Sequence, residues 1–396
     1  MNTPPAHHLP EPDAIRHRAA RAIEAIRNGG LVVLTDDERD SSEGALVMAG
    51  ARITPETVNF MASFGGGLVC VALTLERIRR LGLALMPVRN RGPATPAFAV
   101  SIEARRGVTT GISAADRART IEVAVAEDTR PQDLISPGHV FPVAIREGGV
   151  LERAAHAEAA ADLTVLAGFG PAAVTCAVLG EDGEMARMPA LRKLAADHHL
   201  PIVSVADVIA WRIANEELVD EVARARLDTD LAGPVEVRVF TNKVNQLHYL
   251  TLVRGAIDPD VPTLVRVHSS DVWGDAFTAL RRDQGVLLHR AIEQIASAPC
   301  GVVLYILKPF TADGLVRKLK SHTEAVEHAL GDLRETDTYP TALRDYGLGA
   351  QVLRRLGLKK LRLITHNPAL RPVGLEGFGL ELVETLALPS GTSRPR

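Results

Sequence analysis

The sequence predicts two α/β or α+β domains in series, and three observations carry that expectation. The chain has 396 residues, and at roughly 100–200 residues per domain this suits two or three folding units. Short apolar runs that read as buried strands alternate with helical segments in both halves. A charged stretch at residues 215–230 has no clear apolar period and reads as a connection. The expected division is residues 1–212, a linker at 213–230, and residues 231–396.

The elements follow in order. Pro12 or Asp13 opens a helix that runs to Arg27, where Gly29-Gly30 stops it. LVVL at 31–34 reads as a buried strand, and a polar loop follows at 36–44. Strands are expected at 69–74 and 98–102, and helices at 114–127 and 154–167. A strand at 201–205 and a helix at 206–212 end the first half. The second half opens with strands at 235–240, 246–253 and 262–268. A helix at 285–297 leads into the buried run GVVL at 301–304. Helices at 315–333 and 343–356 precede a strand at 361–364.

Composition narrows the class. Hydrophobic residues make up 46% and charged residues 23%, enough for real cores, while 4% aromatics leaves those cores to Val, Leu, Ile and Ala. A net charge of −3 offers no basic field for nucleic acid. No apolar run approaches the ~18 residues of a membrane span, and the first twenty residues carry no signal-peptide apolar region. Cys70, Cys176 and Cys300 are odd in number, far apart and without CxxC spacing. That argues against a disulfide framework and for a reducing, cytoplasmic compartment.

Several long segments carry a family resemblance. GGLVVLTDDE (29–38), EGALVMAG (43–50), GVTTGISAADRART (107–120), SPGHVFPVAIREGGVLERAAHAEAA (136–160), EDGEMARMP (181–189) and IVSVADVIAWR (202–212) resemble, in family order, 3,4-dihydroxy-2-butanone-4-phosphate synthase. LTLVRGAID (250–258), LVRVHSSDVWGDAF (264–277), GVVLYIL (301–307), LRDYGLGAQVLRRLG (343–357) and the segment 361–388 are similar to GTP cyclohydrolase II. The whole chain resembles the fused riboflavin-pathway family that joins the two. The resemblance implies a synthase-like first domain and a cyclohydrolase-like second domain.

For the first half the resemblance implies removal of formate from ribulose 5-phosphate, with a divalent cation such as Mg²⁺ polarising the sugar oxygens. The family's metal-binding Glu falls on Ser41, the preceding Arg on Asp40, and a later Asp on Ala45. A further acid falls on Ala177, the Thr beside the metal-binding His falls on Ala157, and the substrate-closing loop at 88–96 has lost its pattern. Glu43, His139 and His156 keep family catalytic positions, and His156 is the one metal ligand that survives. Thr109, Thr110, Asp116 and Arg153 keep substrate-binding positions, and Arg117 is also retained. One imidazole is a poor Mg²⁺ site, so little or no synthase turnover is expected. Read without the family, His139 bonds a turn and His156 is a core histidine.

For the second half the resemblance implies one Zn²⁺ held by three cysteines, with release of formate from GTP. Those positions hold Asp271, Arg282 and Gln284. Zinc thiolate sites need Cys, and an Arg repels the ion, so Zn²⁺ is not expected. Arg266 and Thr365 keep substrate-binding positions. Arg344 stands opposite the family's nucleophilic Arg, but the Asp two residues earlier is Ala342, and the motif at 307–315 is lost.

Preserved frames with altered chemistry imply a riboflavin-biosynthesis-like pseudoenzyme with a binding or regulatory role. The partner is expected to be a small phosphorylated ligand or a riboflavin-pathway protein, with no nucleic acid and no membrane. A homodimer is implied by the resemblance alone. Two alternatives stand beside this. One is retained synthase activity on ribulose 5-phosphate. The other is a remodelled enzyme for a phosphorylated sugar or nucleotide, whose metal is held by Asp36, Asp37, Glu38, Asp40 and Glu43, or by Asp271, Asp275 and Asp283.

Overall fold

Ile15, Ala19, Ala22, Ile23 and Ile26 recur at helical spacing and are all buried, which makes the first described segment helix α1 (Pro12–Arg27). The computed structural model describes residues 12–37, 39–87, 97–271, 275, 284–308, 316, 339–365, 375 and 379–388; at 12–13, 284–286 and 339–346 it describes the backbone alone. The chain divides into two units, Met1–Arg212 and Ile213–Arg396.

The first unit is built on a mixed sheet. Its strands are β1 (Val32–Thr35), β2 (Gly44–Ala49), β3 (Gly66–Thr74), β4 (Ala97–Phe98), β5 (Ile102–Ala104), β6 (Leu134–Ile145), β7 (Ala173–Val178) and β8 (Ile202–Ser204). Their order is β4-β6-β3-β7-β2-β1-β8, with β5 paired to β6 off this path. β1 runs antiparallel to β2 and parallel to β8. Around the sheet lie α2 (Pro55–Phe60), α3 (Leu75–Arg80), α4 (Ala114–Val125), α5 (His156–Leu166), α6 (Met188–Asp197) and α7 (Val205–Asn215).

Alternate residues of a strand point to opposite faces. Leu46, Met48, Val69, Val71, Val174 and Cys176 point to one face, where Val58, Ile121, Ala124 and Leu191 complete a core cluster. Each fully buried aliphatic side chain stabilises by about 1.5–3 kcal/mol. The residues between them point the other way, toward α5, which packs on β1, β2, β3, β6 and β7. Arg18 fixes α1 to the start of α7, donating to both oxygens of Asp207 at 3.0 and 2.7 Å.

The second unit has strands β9 (Val219–Thr229), β10 (Gly233–Asn242), β11 (His248–Arg254), β12 (Thr263–Ser269), β13 (Gly301–Leu307), β14 (Lys360–Thr365) and β15 (Glu381–Ala387). The order is β15-β14-β12-β13-β11-β10-β9. Helix α8 (Gln284–Ala296) packs on β12 and β13 through Leu288, Ala291 and Ile295 against Leu264 and Val303. Helix α9 (Tyr339–Arg355) packs on β13 and β9.

Two expectations are corrected. Residues 213–230 are no linker, because they form the end of α7 and the edge strand β9. β9 is largely exposed on both faces and its ladder with β10 shifts register between Val239 and Phe240, so no period-2 apolar pattern marks it. The single strand expected at 98–102 is two, β4 and β5. The helix expected at 315–333 lies outside the described residues but for residue 316, and the loop at 88–96 lies wholly outside them.

Candidate functional site

The β1–β2 loop folds around Asp37, whose carboxylate is buried. One oxygen accepts from the Arg39 backbone N–H at 2.9 Å and from the Ser42 hydroxyl; the other accepts from Arg39 Nε at 2.5 Å. Burial pushes this carboxyl up, but Ser42 and the two Arg39 donors outweigh it and hold it below the ordinary carboxylate range. Asp37 is thereby committed to shaping the loop.

The acids beside it turn to other partners. Glu43 Oε1 lies 2.9 Å from Arg187 Nη1, which also donates to the Ser41 carbonyl at 2.8 Å. Asp40 is highly exposed and faces Arg192 at 3.6 Å. Glu38 lies outside the described residues. His156 begins α5, and its Nε2 is 3.5 Å from Asp36 Oδ1. Burial lowers the His156 pKa, and the charges of Asp36 and Glu43 raise it, with burial prevailing. Ala157 follows it in the first turn. Arg153 is tied through Nε to Glu158 at 2.7 Å, and Glu158, fully buried, also accepts from the Arg146 backbone at 3.1 Å.

Mg²⁺ prefers a near-octahedral shell of oxygens with one or two carboxylates. Here the Glu43 carboxylate is already paired with a guanidinium, and Ser41 brings no charge. Among the described residues, no three His, Cys, Asp or Glu side chains converge to hold an ion. These residues do not fit the cation. Ala45 and Ala177, both at family acid positions, stand opposite each other on β2 and β7. By strand alternation they lie on the α5 side of the sheet.

The retained segment 107–120 closes on itself. Asp116 accepts from the Thr109 hydroxyl at 2.8 Å and from the backbone N–H groups of Thr109 and Gly111 at 3.2 and 3.0 Å. The Thr109 hydroxyl lowers this carboxyl, against burial and together with the amides and Ser113. Thr110 is exposed. Arg117 lies on α4 near Cys176. His139 Nδ1 is 3.0 Å from Glu103 Oε2, so its partner is a buried acid rather than a turn.

In the second unit, Asp275 gathers three donors. His268 Nε2 lies at 2.8 Å, the Tyr305 hydroxyl at 2.6 Å and the Asp271 backbone N–H at 2.9 Å. The His268 and Tyr305 rings stack at 5.3 Å across the β12–β13 ladder. Burial lowers His268 against the pull of Asp275, and burial raises Tyr305 with Asp275 adding to it. Arg282 and Asp283 lie outside the described residues, as do the side chains of Gln284 and Arg344. With Asp275 committed to this network and no thiolate at Asp271, the described residues do not fit Zn²⁺. Arg266 donates to the Ile364 carbonyl at 3.2 Å. It lines, with Thr365 and Leu375, a pocket of about 60 Å³. That holds a few waters, whereas ligand pockets typically run to roughly 300–1,000 Å³.

Sequence reasoning missed Glu103, Arg187, Glu158 and Tyr305. A signal existed for Glu103, since an acid inside the apolar run Ala99 to Ala104 must find a partner.

Comparison with known proteins agrees with this division. Residues 20–211 match the family model for 3,4-dihydroxy-2-butanone 4-phosphate synthase, and residues 220–387 match that for GTP cyclohydrolase II. The riboflavin biosynthesis protein RibBA of Aquifex aeolicus is 45% identical over 93% of this chain and 91% of its own. The Arabidopsis thaliana protein named monofunctional riboflavin biosynthesis protein RIBA 2, chloroplastic, is 40% identical over 91% of this chain and 75% of its own. A crystal structure of RibBX from A. baumannii, described as a two-domain 3,4-dihydroxy-2-butanone 4-phosphate synthase, superposes with a TM-score of 0.74 at 34% identity. The match covers 94% of this chain and 100% of that one.

Proposed function

The chain belongs to the RibBA family of riboflavin-biosynthesis proteins, with a synthase domain before a GTP cyclohydrolase II domain, and from that premise we propose that it binds a phosphorylated sugar without the family's metal-dependent turnover. In this reading the second unit does not open GTP. The chain serves the riboflavin pathway as a binding or regulatory protein, in the cytoplasm and as a homodimer. The observation that carries the reading is the pairing of Glu43 with Arg187 beside Ser41: among the described residues Asp36 still faces His156, but no three donors converge on an ion. His156 at the head of α5, and Arg153 three residues before it with its Nε held by Glu158, remain to meet a phosphate and hydroxyls.

The test is to supply the full chain with ribulose 5-phosphate and Mg²⁺, and separately GTP and Zn²⁺, and to follow formate. Calorimetry on ribulose 5-phosphate runs in parallel. Saturable binding with no formate is the expected result, and formate from either substrate defeats the reading. A second reading is supported by the A. baumannii relative, whose description gives a two-domain chain synthase activity. In that case the first unit turns over and the second is silent, and formate appears from ribulose 5-phosphate alone.

A further inference from the structure

The ladder between β5 and β6 skips. Ile102 pairs with Val140, yet the next residue, Glu103, pairs with Ile135. The segment Ser136 to His139 is therefore looped out of the sheet. Bulges of this kind re-aim a side chain, and they are over-represented beside functional sites.

The loop is held from below by its own partner strand. The Ser136 hydroxyl donates to the Ser101 carbonyl at 2.8 Å, and the Gly138 N–H donates to the Ser101 hydroxyl at 3.1 Å. Gly138 lies so close to the Ile102 carbonyl that a Cβ there would overlap it. At the end of the loop, His139 Nδ1 meets Glu103 at 3.0 Å. The Glu103 side chain is 11% exposed, and that of His139 is 43% exposed. Gly111, at φ +82°, leaves the room that the Glu103 carboxylate fills, because a Cβ at Gly111 would fall inside it. The exposed Thr110 is thereby brought to the same place.

A carboxylate can only accept, so Nδ1 carries the hydrogen. A neutral imidazole then presents its lone pair on Nε2, toward solvent. We propose that Glu103 is a positioning residue that fixes His139 in this tautomer, making Nε2 an acceptor for a ligand hydroxyl. Unlike the altered loop at Asp36 to Glu43, this pair keeps both its parts. The ligand class, a polyol, rests on the sugar reading above; the geometry of the pair does not.

The test is nitrogen-resolved NMR of the histidine side chains in the full chain near neutral pH, with His139 assigned by substitution. The wild type is expected to show one Nδ1–H tautomer. Glu103→Gln should shift it to a mixture, and Glu103→Asp should bring it back. Ribitol and ribulose 5-phosphate should both move the Nε2 resonance, and inorganic phosphate should not. An Nε2–H tautomer in the wild type, or a spectrum unchanged by Glu103→Gln, overturns the positioning role. Silence toward both ribitol and ribulose 5-phosphate overturns the hydroxyl subsite. A response to ribitol alone upholds the subsite and sinks the sugar-phosphate reading instead.

Discussion

Ala45 and Ala177 are direct cross-strand partners on β2 and β7. Directly opposed side chains sit about 4.5–5.5 Å apart at Cβ. Carboxylates at both positions would share one small volume, where a cation between them relieves their repulsion. With Ala at both, nothing on this stretch of the ladder attracts an ion. The two replacements are therefore one change in chemistry, made on neighbouring strands. The wild type is expected to show no stoichiometric Mn²⁺ or Mg²⁺ uptake by calorimetry. The triple variant Ser41→Glu, Ala45→Asp, Ala177→Glu should gain a measurable site. A tightly bound divalent ion in the wild type would refute the assignment.

Asp37 should make the first unit acid-sensitive. Its carboxyl is held below the ordinary value near 3.8. The stabilisation is present above that value and is lost as pH falls through the depressed one. Ser42→Ala removes one of the donors to Asp37 and is expected to cost about 1 kcal/mol at neutral pH. It should also flatten the decline below pH about 4. Arg39 is largely exposed, so Arg39→Ala should change little. Denaturant titrations at a series of pH values check all three.

On acidification the second unit should begin to lose stability at a higher pH than the first. Burial lowers His268, with Asp275 pulling the other way, so the folded state favours the neutral ring. Its contribution is complete above the usual histidine value of about 6.5 and falls away as pH drops through the lowered one. Asp275→Asn unpairs the network and should cost on the order of 1–3 kcal/mol. His268→Gln should remove the pH dependence. If thermal melts of the two variants track the wild type across this range, the network carries no such weight.

Chelation separates this fold from a zinc fold. Structural zinc sites contribute folding energy outright. Overnight EDTA is expected to leave the melting temperature unchanged. A fall of several degrees on chelation, reversed by Zn²⁺, would contradict the reading of Asp271 and Asp275.

Gly138→Ala should destabilise the first unit by about 1–3 kcal/mol, because the added methyl meets the Ile102 backbone. The same variant should change the His139 environment, visible in its ring carbon-bound proton shifts. A stable variant with an undisturbed His139 would mean that the loop is less tightly seated than described.

Local patterns were legible and partnerships were not. The helix expected from Pro12 or Asp13 to Arg27 is α1, and the helix expected at 114–127 is Ala114–Val125. β6 went unread because Ser136-Pro137-Gly138 interrupts its apolar run, and those residues do leave the ladder. β2 went unread because its residues are buried on both faces and show no alternation. At the sites, the loss of acids at Ser41, Ala45 and Ala177 could be read from spacing. That Ala45 meets Ala177, or that Asp275 joins His268 to Tyr305, depends on strand pairing between segments far apart in the chain, which spacing does not contain.

β1 has its final neighbours at opposite ends of the first unit. β2 follows at once, but β8 arrives only near Ile202, and the Arg18–Asp207 clasp joins residues 189 positions apart. At roughly 5–20 residues per second of synthesis, the first helix and strand wait about ten to forty seconds for their partners. Throughout that interval a mostly apolar strand edge stands open on the nascent chain. Gene fragments that stop before Ser204 should therefore precipitate or recruit chaperones, however complete their motifs look.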